Sequence, residues 1–195
     1  RKDGVFLTHK NEFEQWMKMG KDHLHAGHIE KAKMCFSQAL VLVVDYDSPY
    51  RDKRGIVEHR LADIFIRKNE IERARWLFKK AASEIVNDPM GRAICLRDYA
   101  NFELLQGNPK LARKLLLEAA EETTRAESTF KKKRPERHEA ERQTVDGFLA
   151  RVDLVEGQRD RAIKRFREVA APRRHNEGRP GDERAKTTWV SAAAP

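Results

Sequence analysis

Cysteine is scarce in this chain, and long apolar runs are missing. Two cysteines, Cys35 and Cys95, occur among 195 residues, too few for the disulfide framework of a small secreted domain. This scarcity favours an intracellular reducing compartment, either the cytoplasm or the nucleus. No apolar stretch approaches the roughly 18 residues that are needed to cross a bilayer. We therefore expect no membrane partner.

The sequence also lacks the usual signatures of catalysis and of metal binding. Its ten glycines are spread along the chain and form no glycine-rich phosphate loop. Neither cysteine has the basic and histidine neighbours that activate a catalytic thiol. His23, His25 and His28 are the tightest cluster of potential ligands, but no further ligand is placed to complete a tetrahedral set. The sequence therefore predicts no enzyme, no cofactor and no metal site.

What the chain does contain is a pattern that returns four times. Small residues on two successive helices let their backbones approach closely, and a glycine or asparagine between them ends the first helix in the left-handed conformation. The first copy is Trp16-x2-Met19-Gly20, Gly27 and Ala32-x3-Phe36-x2-Ala39. The other copies are Leu61-Ala62-x2-Phe65, Asn69 and Ala74-x3-Phe78-x2-Ala81; Tyr99-Ala100, Gly107 and Ala112-x3-Leu116-x2-Ala119; and Leu149-Ala150, Gly157 and Ala162-x3-Phe166.

This pattern resembles the tetratricopeptide repeat (TPR), a helix–turn–helix unit with W-x2-L-G-x2-Y followed by A-x3-F. The resemblance implies an all-α protein, a right-handed α-solenoid of about four TPR-like repeats. We call Ala32, Ala74, Ala112 and Ala162 the marker alanines; they lie 42, 38 and 50 residues apart, against about 34 in the standard unit. We therefore expect second helices that are long or are followed by ordered loops. Such proteins hold partners on a concave surface, which implies a non-catalytic scaffold that binds a protein or peptide and helps to assemble a multiprotein complex.

The pattern divides the chain into three parts. Residues 1–12 are predicted to be an N-terminal extension and residues 13–170 a TPR-like solenoid. Residues 172–195 combine proline, glycine and charged residues without an apolar period, which predicts a flexible basic tail. Within the solenoid the predicted repeats are 13–46, 55–88, 93–126 and 143–171, and residues 127–142 form a basic insertion.

Positive charge is concentrated toward the C-terminal end of the sequence. The net charge is +9, and residues 123–195 contribute +6 of it, with 18 basic and 12 acidic side chains. Adjacent cations attract phosphates, an acidic partner or a nuclear import receptor, although the same run could be a solvated loop between two helices. The residues of this predicted basic loop are Lys131, Lys132, Lys133, Arg134 and Arg137.

The first helices of a TPR array line its concave face, so we expect the partner there. The predicted partner-binding residues are Lys18, Lys21, His25, His59, Arg60, Asp63, Arg67, Arg97, Asp98, Asn101 and Arg151. We expect Arg60, Arg67 and Arg97 to be solvated, and the positive bias of the whole set suits an acidic peptide or phosphates. A plain solvated helix face is the alternative for each of them. The lysine–asparagine clamp of chaperone-binding members is not reproduced, because Met17 and Asp63 stand where a cation and an amide are expected.

A second resemblance suggests a different class of partner. Tyr99 and Glu103 on one predicted helix, followed by Ala112-Arg113 and Ala119 on the next, resemble the half-a-TPR (HAT) repeat, and residues 72–81 are similar to its second helix. HAT proteins belong largely to RNA-processing assemblies. The alternative function is therefore an RNA-processing or RNA-binding factor that contacts phosphate through its basic groove and loop. A third possibility is self-association, in which exposed end repeats stack on another copy.

Overall fold

The structure is a computed structural model that describes residues 2–44, 53–133 and 135–170, with side chains at 11–44, 53–127 and 135–170. The described residues form eight helices and no strand. Each helix packs against its neighbours in sequence, and the second helix of each pair contacts the first helix of the next pair. The helices are α1 (Lys2–His25), α2 (Ile29–Val44), α3 (Arg54–Arg67), α4 (Ile71–Glu84), α5 (Pro89–Leu105), α6 (Pro109–Lys133), α7 (Pro135–Val155) and α8 (Arg159–Ala170).

The two helices of each pair are joined at one residue with a left-handed backbone, which we call the turn residue. The φ angle is 77° at Gly27, 58° at Asn69, 80° at Gly107 and 78° at Gly157. The amide that follows each turn residue donates to the carbonyl five residues earlier, at 2.8–2.9 Å. Glycine and asparagine tolerate this conformation best, and the bond satisfies a carbonyl at the end of the first helix. The four predicted turns are therefore confirmed.

Small residues allow the helices of a pair to touch. At Gly20 an added Cβ would lie 2.5 Å from Cε1 of Phe36, so only glycine permits this approach of α1 to α2. All four marker alanines, Ala32, Ala74, Ala112 and Ala162, have no exposed surface. The large residue four positions after the marker alanine fills the adjoining space, and Phe36, Phe78 and Leu116 are fully buried.

Arginines on the second helices reach across to the following repeat. Nε of Arg75 donates to Oε1 of Glu103 at 2.6 Å, and Nη2 of Arg113 donates to Oδ1 of Asp153 at 2.6 Å. Both carboxylates have no exposed surface. Because a buried carboxylate is stable only with a partner of opposite charge, these pairs couple the second repeat to the third and the third to the fourth.

The helix lengths show where the extra residues of each repeat lie. Residues 2–12, the predicted N-terminal extension, belong to α1, which has 24 residues. Among the described second helices α6 is long, with 25 residues, whereas α4 has 14 and is followed by the connection of residues 85–88. The wide spacing of the marker alanines is therefore taken up by first helices as well, including the 21 residues of α7.

The predicted basic insertion of residues 127–142 is helical, which corrects the prediction of a loop. Helix α6 continues to Lys133, and α7 begins at Pro135. Proline suits the first position of a helix, because its missing N–H has no partner there and its φ is already helical. Lys131, Lys132 and Lys133 thus lie in the last turn of α6. Arg137 lies in the first turn of α7, and Arg134 lies outside the described residues.

The remaining predicted boundaries lie partly beyond the described ranges. The tail of residues 172–195 and the last residues of the first and fourth predicted repeats are outside them. None of the described helices is both long and apolar enough to cross a bilayer.

Candidate functional site

The predicted partner-binding residues lie on the first helices of the four pairs. Along one side of the array α3 contacts α5 and α5 contacts α7, so these helices form a continuous face, which we call the groove. The groove residues are Lys18, Lys21 and His25 on α1; His59, Arg60, Asp63 and Arg67 on α3; Arg97, Asp98 and Asn101 on α5; and Arg151 on α7.

A chain of polar contacts crosses the groove from α3 to α7. Nε2 of His59 lies 3.1 Å from Oδ2 of Asp98, and Nη2 of Arg97 donates to Oδ1 of the same aspartate at 2.8 Å. Nη1 of Arg97 also donates to Oε2 of Glu141 on α7. His59 is only 3% exposed, and Arg97 is held by two carboxylates. The expectation of a solvated side chain is therefore wrong for Arg97, which together with His59 connects the helices.

Six of the predicted residues line one cavity of about 390 Å³ between α1, α3 and α5. Its other wall is apolar, and it includes Leu105, which is 67% exposed. This combination of a polar and an apolar wall is typical of a site for a peptide with mixed side chains. The polar lining is His25, Arg60, Asp63, Arg67, Asp98, Asn101 and Gln106, and the apolar lining is Leu24, Ile66, Phe78, Phe102 and Leu105.

A second cavity of about 420 Å³ continues the groove toward the start of α3. Lys18, Lys21 and His25 line it, and His25 also lines the first cavity, so the two are adjacent. Its apolar lining comes from Phe13, Met17 and Ile56.

Several groove cations lack a carboxylate partner. Among the described residues Lys18, Lys21 and Arg67 form no ion pair, whereas Arg60 is paired with Asp63 at 3.2 Å. Partial burial lowers the pKa of the Lys21 ammonium, and the charges of Arg60 and Arg137 lower it further. The groove therefore holds cations that repel one another, and an anion placed between them would relieve that repulsion.

The groove carboxyl groups are not equivalent. Burial raises the pKa of Asp63, although the charges of His59 and Arg60 oppose the change. Burial alone would also raise the pKa of Asp98, but the hydrogen bond from His59 and the charges of His59 and Arg97 outweigh it, so that this pKa is lowered. Asp98 is therefore a stable anion within the contact chain, and Asp63 is the groove aspartate that protonates more readily.

Two charged residues of the groove were not assigned to it from the sequence. The charge of Arg137 acts on both Lys21 and Glu141, which places Arg137 at the groove and not in a separate basic loop. Glu141 is buried and binds Arg97. The signal for both was their spacing of four residues, which puts them on one face of a helix that starts at Pro135.

The side chains considered for metal binding and catalysis are placed for neither. His23 and His28 have ring centres 5.8 Å apart, and within the described ranges no three His, Cys, Asp or Glu residues converge to hold a metal ion. Cys35 and Cys95 are free and buried, and burial raises the pKa of both thiols. A raised pKa favours the unreactive thiol over the nucleophilic thiolate.

Comparison with solved structures identifies the architecture. One crystal structure of nearly identical TPR-like repeats from a kinesin light chain of Podosopora anserina has a TM-score of 0.50 at 15% identity, covering 83% of this chain and 94% of that one. The chain has a TPR-like fold. A second structure of those repeats has a TM-score of 0.48 at 14% identity, with 80% and 92% covered. No protein-family model matches the sequence, and no match is found among curated proteins.

Proposed function

We propose that this protein is a non-catalytic interaction scaffold whose groove binds an acidic segment of a protein partner. The observation that carries the proposal is the pair of adjacent cavities, which share His25 and contain Lys18, Lys21 and Arg67, three cations without an ion pair among the described residues. Carboxylates of the partner would bind these cations through charge-assisted hydrogen bonds.

The apolar side of the groove indicates which side chains, besides acidic ones, the partner contributes. Exposed Leu105 and the neighbouring Ile66 and Phe102 offer surface to aliphatic side chains. Burial of such surface stabilises the complex by about 25 cal/mol per Å² of apolar area. Because the cations of the groove favour carboxylates, the preferred ligand alternates acidic and aliphatic residues. The Nε of Arg60 is buried without an acceptor among the described residues, and a ligand carboxylate could supply one.

A protein ligand fits the groove better than an RNA backbone does. The groove contains the carboxylates of Asp63, Asp98 and Glu141 among its cations, and these would repel a continuous row of phosphates. An isolated acidic side chain can approach Lys21 or Arg67 without meeting all three.

Selection from a displayed peptide library tests the proposal. We expect enrichment of acidic peptides with aliphatic residues, and at least tenfold weaker binding by a Lys21→Ala/Arg67→Ala variant, because each charge-assisted hydrogen bond contributes about 1.5–3 kcal/mol. The matched control, Lys31→Ala/Lys79→Ala, removes the same charge from the exposed faces of α2 and α4 and should bind normally.

Two outcomes would contradict the proposal. Loss of binding by the control with normal binding by the groove variant would place the site on the second helices. Selective binding of single-stranded RNA would instead support the RNA alternative. In that case the slope of log affinity against log salt should become shallower by about 0.7 for each phosphate contact removed.

A further inference from the structure

Three first helices each contribute one cation to the same part of the groove. Lys21 on α1 lines the second cavity, and Arg60 on α3 lines the adjacent first cavity. After burial, the charges of Arg60 and Arg137 are the main causes of the lowered pKa of Lys21, so the three side chains lie near one another. We call Lys21, Arg60 and Arg137 the cation cluster.

The packing of α7 explains how Arg137 reaches the groove. Arg151 donates to Oδ1 of Asn101 at 3.4 Å, and each of these two residues stands six positions before its own turn residue. Nearer the start of α7 the helices are out of step, because Arg97, ten positions before its turn residue, binds Glu141, sixteen positions before its own. An offset of six residues is about 9 Å along a helix. Helix α7 is therefore inclined to α5, and its start, with Arg137, lies over the groove.

The cation cluster has donors to spare. Among the described residues Lys21 and Arg137 form no ion pair. Arg60 donates from Nη1 to Asp63 at 3.2 Å, but its Nε is buried and has no acceptor in the described part of the chain. An anion between the three side chains would therefore accept hydrogen bonds that the protein itself leaves unmade.

The carboxylates nearest to the cation cluster leave room for such an anion. Asp22 acts on Lys21 less than either arginine does. Glu141, one turn after Arg137, is bound through Oε2 by Arg97, and its buried Oε1 has no partner among the described residues. Burial raises the pKa of Glu141. A protonated Glu141 can donate to an anion instead of repelling it.

A phosphate matches three converging cations better than a carboxylate does. A phosphorylated side chain has three terminal oxygens and a charge of about −1.5 to −2 at neutral pH. A carboxylate has two oxygens and a single charge. We propose that the cation cluster binds the phosphate of a phosphorylated serine or threonine within the acidic segment of the partner. This site rests on the proposed function, because the rest of the groove holds the residues that flank the phosphate.

Peptide pools that differ at one position test the proposal on the whole chain. Each pool has acidic and aliphatic residues in random order around a fixed centre, which is phosphoserine, glutamate or serine. Fluorescence anisotropy measures the apparent affinity of each pool. We expect the phosphoserine pool to bind at least tenfold more tightly than the glutamate pool, because it gains further charge-assisted hydrogen bonds.

Arg137→Gln shows whether this gain comes from the cation cluster. The variant should bind the phosphoserine pool about tenfold more weakly, and the glutamate pool less than about fivefold more weakly, as for an exposed ion pair. The matched control, Arg159→Gln, removes an exposed cation from α8 and should change neither affinity. Because Arg137 is exposed, the melting temperature of its variant should match that of the parent chain.

The possible failures are distinguishable. Equal affinity for the phosphoserine and glutamate pools would overturn the phosphate site and leave the acidic-segment proposal standing, whereas failure of every pool to bind would overturn both. A phosphoserine advantage that survives Arg137→Gln would place the phosphate elsewhere and overturn the cation cluster as its site. Displacement of the phosphoserine pool by an equal concentration of oligouridylate would overturn it in favour of nucleic acid.

Discussion

At the scale of single residues, the marker alanines set how closely the helices of a pair approach. Ala74 has no exposed surface, so Ala74→Glu places a charge between helices without a partner, and we expect a loss of several kcal/mol of stability. Ala32→Glu should behave alike in the first repeat. Circular dichroism during thermal melting measures the loss, with Ser83→Glu on the exposed side of α4 as the control. An unchanged melting temperature would mean that the repeat register is wrong.

Asp98 gives the fold a dependence on pH. Its folded pKa lies below the usual 3.8, because the hydrogen bond from His59 and the charges of His59 and Arg97 outweigh burial. A carboxyl whose pKa is depressed by folding stabilises the fold above its unfolded pKa, and this contribution is lost as the pH falls through the folded pKa. Asp98→Asn should therefore cost about 2 kcal/mol at neutral pH, and the difference from the parent chain should shrink below pH 3.8.

Urea unfolding of both chains at several pH values measures this difference. Glu121→Gln removes a carboxylate from the exposed side of α6 and serves as the control, since its effect should be small at every pH. A cost for Asp98→Asn that is the same in acid and at neutral pH would show that the amide disturbs packing and that the charge of Asp98 contributes nothing.

At the scale of helices, the turns within the repeats were predictable from sequence, but the connection between α6 and α7 was not. The turn residues were identified from sequence because a left-handed backbone strongly selects glycine or asparagine at one position. The α6–α7 junction was predicted as a loop because Pro135 and the preceding cations are also typical of loops, and only the helical backbone on both sides decides between the two.

The sequence predicted which helices carry the residues of the candidate site, but it did not predict which of those residues form ion pairs. Helical periodicity assigned the groove residues to the first helices, but it could not show which of their charges neutralise one another. Arg97 and Glu141 are 44 residues apart in sequence, and their contact depends on how α5 packs against α7. Part of the positive charge expected in the groove is therefore neutralised by nearby carboxylates. Lys21 and Arg67 are among the groove cations that have no ion pair among the described residues.

A single position on the second helices links the repeats to one another. Directly after the marker alanine, Lys33 lies 5.8 Å from the ring centre of Phe65, and Arg75 and Arg113 bind buried carboxylates of the following repeats. The same position on α8 is Ile163.

At the scale of the whole molecule, stability should vary along the array. In the described part of the chain the main helix contacts are within a repeat and with the next repeat, so the stability of a repeat depends on its own core and on its interfaces with its neighbours. Helix α5 lies in the middle and contributes eight buried residues, whereas α8 contributes one. Local unfolding should therefore begin at α8 and reach α5 last.

Amide hydrogen exchange measured by mass spectrometry checks this gradient. We expect exchange in α5 to be slowest and in α8 fastest, because opening the central helix breaks interfaces with α4, α6 and α7 whereas opening α8 breaks its interface with α7. Rates from the urea-unfolded chain supply the reference for intrinsic exchange at each amide. Ala162→Gly, which removes a buried methyl from α8, should speed exchange in α8 and leave α5 unchanged. Equal protection of all helices, or acceleration that spreads to α5, would show that the repeats unfold as one cooperative unit and not one after another.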